Sequence, residues 1–157
     1  MADNEWRVPR DWSALEDIPF DTLNAHIRDQ FIHIKAPPYA ASALIATVSF
    51  SNGSYTGITS ALTFNLTTYG GMIEFGFVGN LAANGGNGFL DVAIDNTGQA
   101  PSTNGYVIRT STANACFNAM ATGIASGAHS IVLNGMVDGG GDAKLISGAV
   151  FWAGEVP

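Results

Sequence analysis

Three histidines, thirteen carboxylates and a single cysteine are the groups from which this 157-residue chain would have to build catalysis or bind a metal. His26 and His33 stand seven residues apart, two helical turns, so they can share a helix face. A metal-binding pair uses a spacing of three or four, and solvated helix positions are the simpler account. His129 follows Ser126 and Gly127 at the start of a strand pattern, a place for a hydrogen-bonding turn residue or a subunit contact. Asp91 and Asp95 alternate with apolar residues, so a strand would put both on one face, as in a glycosidase pair; surface positions at strand ends explain them more simply. Asp138 and Asp142 flank three glycines but lack the alternating oxygen ligands of a calcium loop, which leaves a hairpin turn. Glu74 lies between apolar residues and suits a polar contact at a subunit interface.

The remaining patterns are equally bare. No Gly-x-Ser-x-Gly elbow occurs, and Gly85-Gly86-Asn87-Gly88 is not followed by the Lys-Ser/Thr of a phosphate loop. Cys116 has no basic neighbour to activate its thiol and reads as a small buried hydrophobe; being alone, it can form no intrachain disulfide. The chain is therefore expected to be no enzyme and to carry no metal or cofactor. Its net charge is −7, with six Lys and Arg spread along its length, and no basic stripe for phosphates exists, so nucleic acid is not an expected partner. No run of 18 apolar residues is present, so no membrane span is expected. The polar, acidic start lacks a signal-peptide pattern, which implies synthesis in the cytoplasm. Asn52-Gly53-Ser54 and Asn65-Leu66-Thr67 are then chance matches to the glycosylation pattern.

What must position these groups divides in two near residue 40. Residues 1–40 contain eleven charged residues, four of the six prolines and no glycine; residues 41–157 contain all nineteen glycines and eight charged residues. Pro37-Pro38 marks the boundary and forces an extended exit. Within the arm, Asp21 caps a helix expected over about 21–35, whose Leu23, Ile27, Phe31 and Ile34 make one apolar stripe. Such a helix is marginal alone in water and needs a surface to bury against. Trp6, Trp12, Leu15, Ile18 and Phe20 add large apolar groups upstream. They read as anchors for pockets on a partner, or as a cover for the base of the following domain.

Residues 41–157 read as strands throughout. Leu62, Phe64 and Leu66, then Ile73, Phe75 and Phe77, then Leu90, Val92 and Ile94 alternate with smaller or polar residues. Turn signals such as Asn52-Gly53, Gly70-Gly71, Asn96-Thr97-Gly98 and Asn104-Gly105 separate them. About eight short strands at this spacing predict an all-β sandwich, with a jelly roll the leading type. Ser130–Val137 and Leu145–Val156 carry apolar residues on both faces, where a lone sandwich should be polar outside. With so few charges, this predicts a homo-oligomer, and His129, Val132, Met136, Val150 and Trp152 are the expected interface candidates.

Two segments carry a resemblance. Leu23-Asn24-Ala25-His26-Ile27-Arg28-Asp29-Gln30-Phe31 through Lys35-Ala36-Pro37-Pro38 resembles a motif of tailed-bacteriophage structural proteins. There a Trp-containing stretch, here Trp12 and Ser13–Phe20, leads into Leu-Asn-x-x-Ile-Arg-Asp and a Lys-x-Pro-Pro-like exit. Gly127-Ala128-His129-Ser130-Ile131-Val132-Leu133, Gly139-Gly140-Gly141-Asp142-Ala143-Lys144-Leu145, Phe151 and Glu155-Val156 resemble the closing strands of trimeric, tumour-necrosis-factor-like (TNF-like) jelly rolls. Together these cover about 60 of the 157 residues. The first resemblance implies incorporation into a virion, with the major capsid protein or tail proteins as partners; the second implies a homotrimer. The arm, through Trp6, Trp12, Phe20, Leu23, Ile27, Phe31 and Ile34, would then dock onto the particle. An arm and one knob, without shaft or heptads, point to a capsid decoration protein. The alternative is a tail-fibre, spike or baseplate head that binds a receptor or host surface glycan through the loops at 80–88 and 95–105.

Overall fold

A computed structural model describes residues 37–82, 86–102, 105–109, 112–138 and 143–156. The expected helix over 21–35, and with it the docking residues Trp6, Trp12, Phe20, Leu23, Ile27, Phe31 and Ile34, lies outside the described residues.

Among the described residues eleven strands follow one another: β1 (Tyr39–Leu44), β2 (Val48–Phe50), β3 (Thr56–Gly57), β4 (Thr63–Thr68), β5 (Gly71–Ala82), β6 (Gly88–Ile94), β7 (Thr97–Gly98), β8 (Val107–Arg109), β9 (Ala113–Ile124), β10 (Gly127–Val137) and β11 (Lys144–Val156). They form two antiparallel sheets face to face, a β-sandwich. In the first sheet β1 and β2 share one side of β11, and the order continues β11-β5-β9. In the second, β3 and β4 share one side of β10, followed by β6 and then by β7 and β8 along its far side. Each sheet is thus four rows wide.

The alternation of the sequence becomes the alternation of faces. Ile73, Phe75 and Phe77 of β5 and Phe151 and Ala153 of β11 point inward, where they meet Leu90, Val92 and Ile94 of β6 and Ile131 and Leu133 of β10. Each of the Ile, Leu, Val and Phe side chains among them, taken fully out of water, contributes about 1.5–3 kcal/mol. Ring contacts close the two long edges of the core. Tyr106 stacks on Phe117 at 5.1 Å and meets Phe75 edge-on at 5.7 Å, while Phe64 of one sheet meets Phe151 of the other at 5.1 Å. Gly135 of β10 lies beneath Phe50, where a Cβ would come within 2.6 Å of the ring. Here a missing side chain lets the two sheets approach.

Buried polar groups tie the ends. Both carboxylate oxygens of Glu155 accept the Tyr69 N–H, at 3.1 and 2.9 Å, which fastens the β4–β5 turn to the last strand. Asp138 accepts from the backbone and side chain of Asn87. Those bonds, and more weakly the nearby Lys144, hold its carboxyl below the usual range.

Candidate functional site

The outward face of the first sheet is the most unusual surface of the described chain. Its rows follow from register: Tyr39, Gly154, Glu74 and Met120 lie side by side, then Ala41, Trp152, Gly76 and Asn118, then Ala43, Val150, Val78 and Cys116. Of the five large apolar side chains most exposed in the described residues, four lie here: Tyr39 at 64%, Met120 at 60%, Val78 at 51% and Val150 at 41%. Among the described residues, Glu74 is the one charged group on this face, and it accepts a hydrogen bond from Asn118 Nδ2 at 2.7 Å.

Two glycines shape this surface. Trp152 lies across Gly76 so closely that a Cβ there would sit 2.6 Å from the indole, and Tyr39 covers Gly154, where a Cβ would sit 3.2 Å from the ring. The two rings stack at 6.3 Å. Bare backbone lets the aromatic rings lie flat, giving a low, smooth platform instead of a bristling one.

Beside this platform runs β9, the outermost strand of its sheet. Its twelve residues, ANACFNAMATGI, contain neither charge nor proline. A long edge strand without such guards is a template for contact with another chain. Four strands about 4.8 Å apart, six to eight residues long, make a face of roughly 400 Å². A standard interface takes about 800 Å² from each partner, so the face by itself supplies about half of that area.

Sequence-predicted contact residues separate in the fold. Val150 and Trp152 belong to this platform. Val132 and Met136 lie on the outward face of the opposite sheet, half-buried, with Val132 against Gly57. His129 is 8% exposed at one end of the sandwich, with Nδ1 2.6 Å from Asp95 Oδ2 and Nε2 2.9 Å from the Ala125 carbonyl oxygen. Tyr39, Val78 and Met120 were not singled out from sequence, and only the register of β1, β5, β9 and β11 joins them. The one usable signal was that Met72–Asn80 and Asn114–Thr122 hold no charge but Glu74.

Two sequence expectations are corrected. Cys116 is exposed on the platform, not buried, because the inward positions of β9 are Ala115, Phe117, Ala119 and Ala121. Asp91 and Asp95 are not a pair of surface carboxylates on one strand. β6 ends at Ile94, and Asp95 sits in the turn with φ 50°. Asp91 is 5% exposed, since the chain after β7 folds over it. Its Oδ1 accepts the N–H of Val92 at 2.7 Å and of Ala100 at 2.9 Å. Burial raises its pKa, against the lowering effect of those bonds.

No grouping of three metal-ligating side chains occurs among the described residues, and no helix among them is long and apolar enough to cross a membrane. No protein-family model matches the chain, and no curated protein is similar to it. Among solved structures, a GH26-CBM35 β-(1,4)-mannanase from Podospora anserina aligns at a TM-score of 0.35 and 15% identity, over 78% of this chain and 29% of that one. This chain thus spans less than a third of that enzyme's length.

Proposed function

We propose that this chain is a non-catalytic virion structural protein of a tailed bacteriophage. In this reading it is a capsid decoration or accessory protein that assembles as a homotrimer and stabilises the particle. The observation that carries the reading is the exposed, nearly uncharged platform of Tyr39, Val78, Met120, Val150 and Trp152 beside the unguarded edge of β9. Platform and edge are different surfaces of one sheet. When the edge of one copy meets the platform of the next, the contact is heterologous, and such contacts form a ring where the rotation between copies closes. Three copies per ring is the number implied by the resemblance to TNF-like trimers.

Strand order supports the jelly-roll form of this reading. From β4 onward the chain visits the sheets in the sequence second, first, second, second, first, second, first, counting β7 and β8 as one row. Such alternation across two four-row sheets is what a jelly-roll winding would produce, and it favours that form over other sandwiches. The arm of residues 1–40 supplies the contact with the major capsid protein or a tail protein. Its work is mechanical, because rupture of the particle must first expose the surface buried between copies.

The test is the solution mass of the full chain by light scattering, beside the double variant Val78→Asp, Val150→Asp. A mass three times that of one chain, falling to one chain in the variant, is expected. A monomeric wild-type chain would defeat the proposal. Copy number in intact particles then separates decoration, with hundreds of copies, from a tail component.

A second reading is a receptor- or glycan-binding head. It draws on the groove at the end of the sandwich, where Asp95, Thr97, Gln99 and Thr122 offer hydrogen-bonding groups. Binding of the purified chain to host cells or to a glycan array is its test.

A further inference from the structure

The β6–β7 turn and the β9–β10 turn meet at that same end. Asp95 and Asn96 take φ of 50° and 66°, the left-handed pair of a tight hairpin turn. The Asp95 N–H donates to the Ser130 carbonyl at 3.0 Å, and Asp95 Oδ1 accepts the Ser130 N–H at 2.9 Å. Asp95 Oδ2 is left for His129 Nδ1, 2.6 Å away. On its other side the ring offers Nε2 to the Ala125 carbonyl, 2.9 Å away, which also accepts from Thr68 Oγ1 at 3.0 Å.

A neutral imidazole has one donor nitrogen and one acceptor nitrogen. Both groups facing His129 are acceptors. Either neutral tautomer therefore aims a ring lone pair at an oxygen, the carboxylate in one case and the carbonyl in the other. The imidazolium alone satisfies both contacts. The charges facing the ring agree with this: Asp95 from the β6–β7 turn and Glu155 from β11 are both carboxylates, and among the described residues neither Lys nor Arg acts on it.

We propose that His129 is a pH-dependent latch: its imidazolium clasps the β6–β7 turn to the β9–β10 turn, and loss of one proton releases one of the two. The turns carry the opposite walls of the groove of about 340 Å³, Thr97 and Gln99 on one side and Thr122 and Ala125 on the other. The latch therefore sets the width of that groove. Its own residues, Asp95, Ala125 and His129, lie outside both the platform and β9, so the state of the ring is read apart from assembly.

The direction of the pH effect follows from the two partners. The hydrogen bond to Asp95, foremost, holds the His129 pKa above its ordinary 6.5 despite burial, so its stabilisation is fully present below pH 6.5 and is lost as pH rises through the raised value. The hydrogen bond from His129 holds Asp95 below its ordinary 3.8, so that part is present above pH 3.8 and is lost as pH falls through the lowered value. The latch is closed between these limits.

Ring-nitrogen NMR of the full chain tests this, with the His129 signals assigned by their disappearance in His129→Gln. Both ring nitrogens protonated below pH 6.5 is the expected result, with a midpoint above 6.5 that moves down in Asp95→Asn. A midpoint at or below 6.5, or a titration indifferent to Asp95→Asn, would overturn the proposal. Thermal unfolding gives an independent reading. The wild-type midpoint should fall roughly 2–6 °C more than that of Asp95→Asn between pH 6 and pH 9, and parallel profiles would count against the latch.

Discussion

Both outward faces of the sandwich carry apolar side chains, and those side chains have opposite fates. On the second sheet, Phe89, Asp91 and Ala93 of β6 face away from the core yet are 6%, 5% and 3% exposed. The chain's own loops cover them: Gln99 N–H donates to the Val92 carbonyl, Tyr106 N–H to that of Leu90, and Ala100 N–H to Asp91. On the first sheet nothing in the described residues covers Tyr39, Val78, Met120 or Val150. Apolar residues on both faces of a strand thus have two separate causes here. One is intramolecular and satisfied; the other is the exposed face on which the proposed assembly rests. A glycine marks each case. Gly98 makes room for Asp91, whose Oδ2 would stand 2.6 Å from a Cβ, and Gly76 makes room for Trp152.

The comparison can be broken most directly by adding charge. Val78→Asp with Val150→Asp should cut the solution mass to one third, whereas Asn65→Asp with Thr67→Asp, on the exposed part of the other sheet, should leave it unchanged. Equal loss from both pairs would remove the distinction between the faces. Next in size is the loop anchor. Asp91→Ala leaves the Ala100 N–H without its acceptor and should cost about 1–3 kcal/mol in denaturant unfolding. Asp91→Asn keeps an oxygen there and sheds a buried charge, so at pH 7 it should fall within about 1 kcal/mol of wild type.

Smaller effects sharpen the contrast. Gly98→Ala forces Asp91 from its bonds and should cost about 1–3 kcal/mol, whereas Gly76→Ala displaces a half-exposed indole and should cost about 1 kcal/mol or less. Trp152 fluorescence should shift to the red only in the second. Finally, Cys116 sits on the platform, so a maleimide should label it more slowly in the wild-type assembly than in the Val78→Asp, Val150→Asp variant. Equal rates would place the thiol outside the contact.

Much of the sandwich was legible because strand formation is a local matter. Period-two alternation in Leu62–Leu66, Ile73–Phe77 and Leu90–Ile94, with glycine-rich breaks between, identifies strands whatever they pair with. The alternation even gives the inward residues, since in β5 the apolar set Ile73, Phe75 and Phe77 outweighs Met72, Glu74 and Gly76. Where two sets are balanced the alternation is silent. In β9, Cys116 and Met120 compete with Phe117 and Ala121, and in β6, Asp91 gives no local sign that a loop nine residues later will bury it.

By itself the sequence determined the all-β character, the positions of most turns, the shortage of charge after residue 40 and the presence of apolar residues on both faces of several strands. Those are properties of neighbours along the chain, set by side-chain period and backbone freedom. Only the tertiary structure decided which second faces are covered, that Tyr39, Val78, Met120 and Val150 share a surface, and that His129 stands between two acceptors. Each of these depends on the register between distant strands and on where a loop lands, and a shift of one residue would exchange every inward side chain for an outward one.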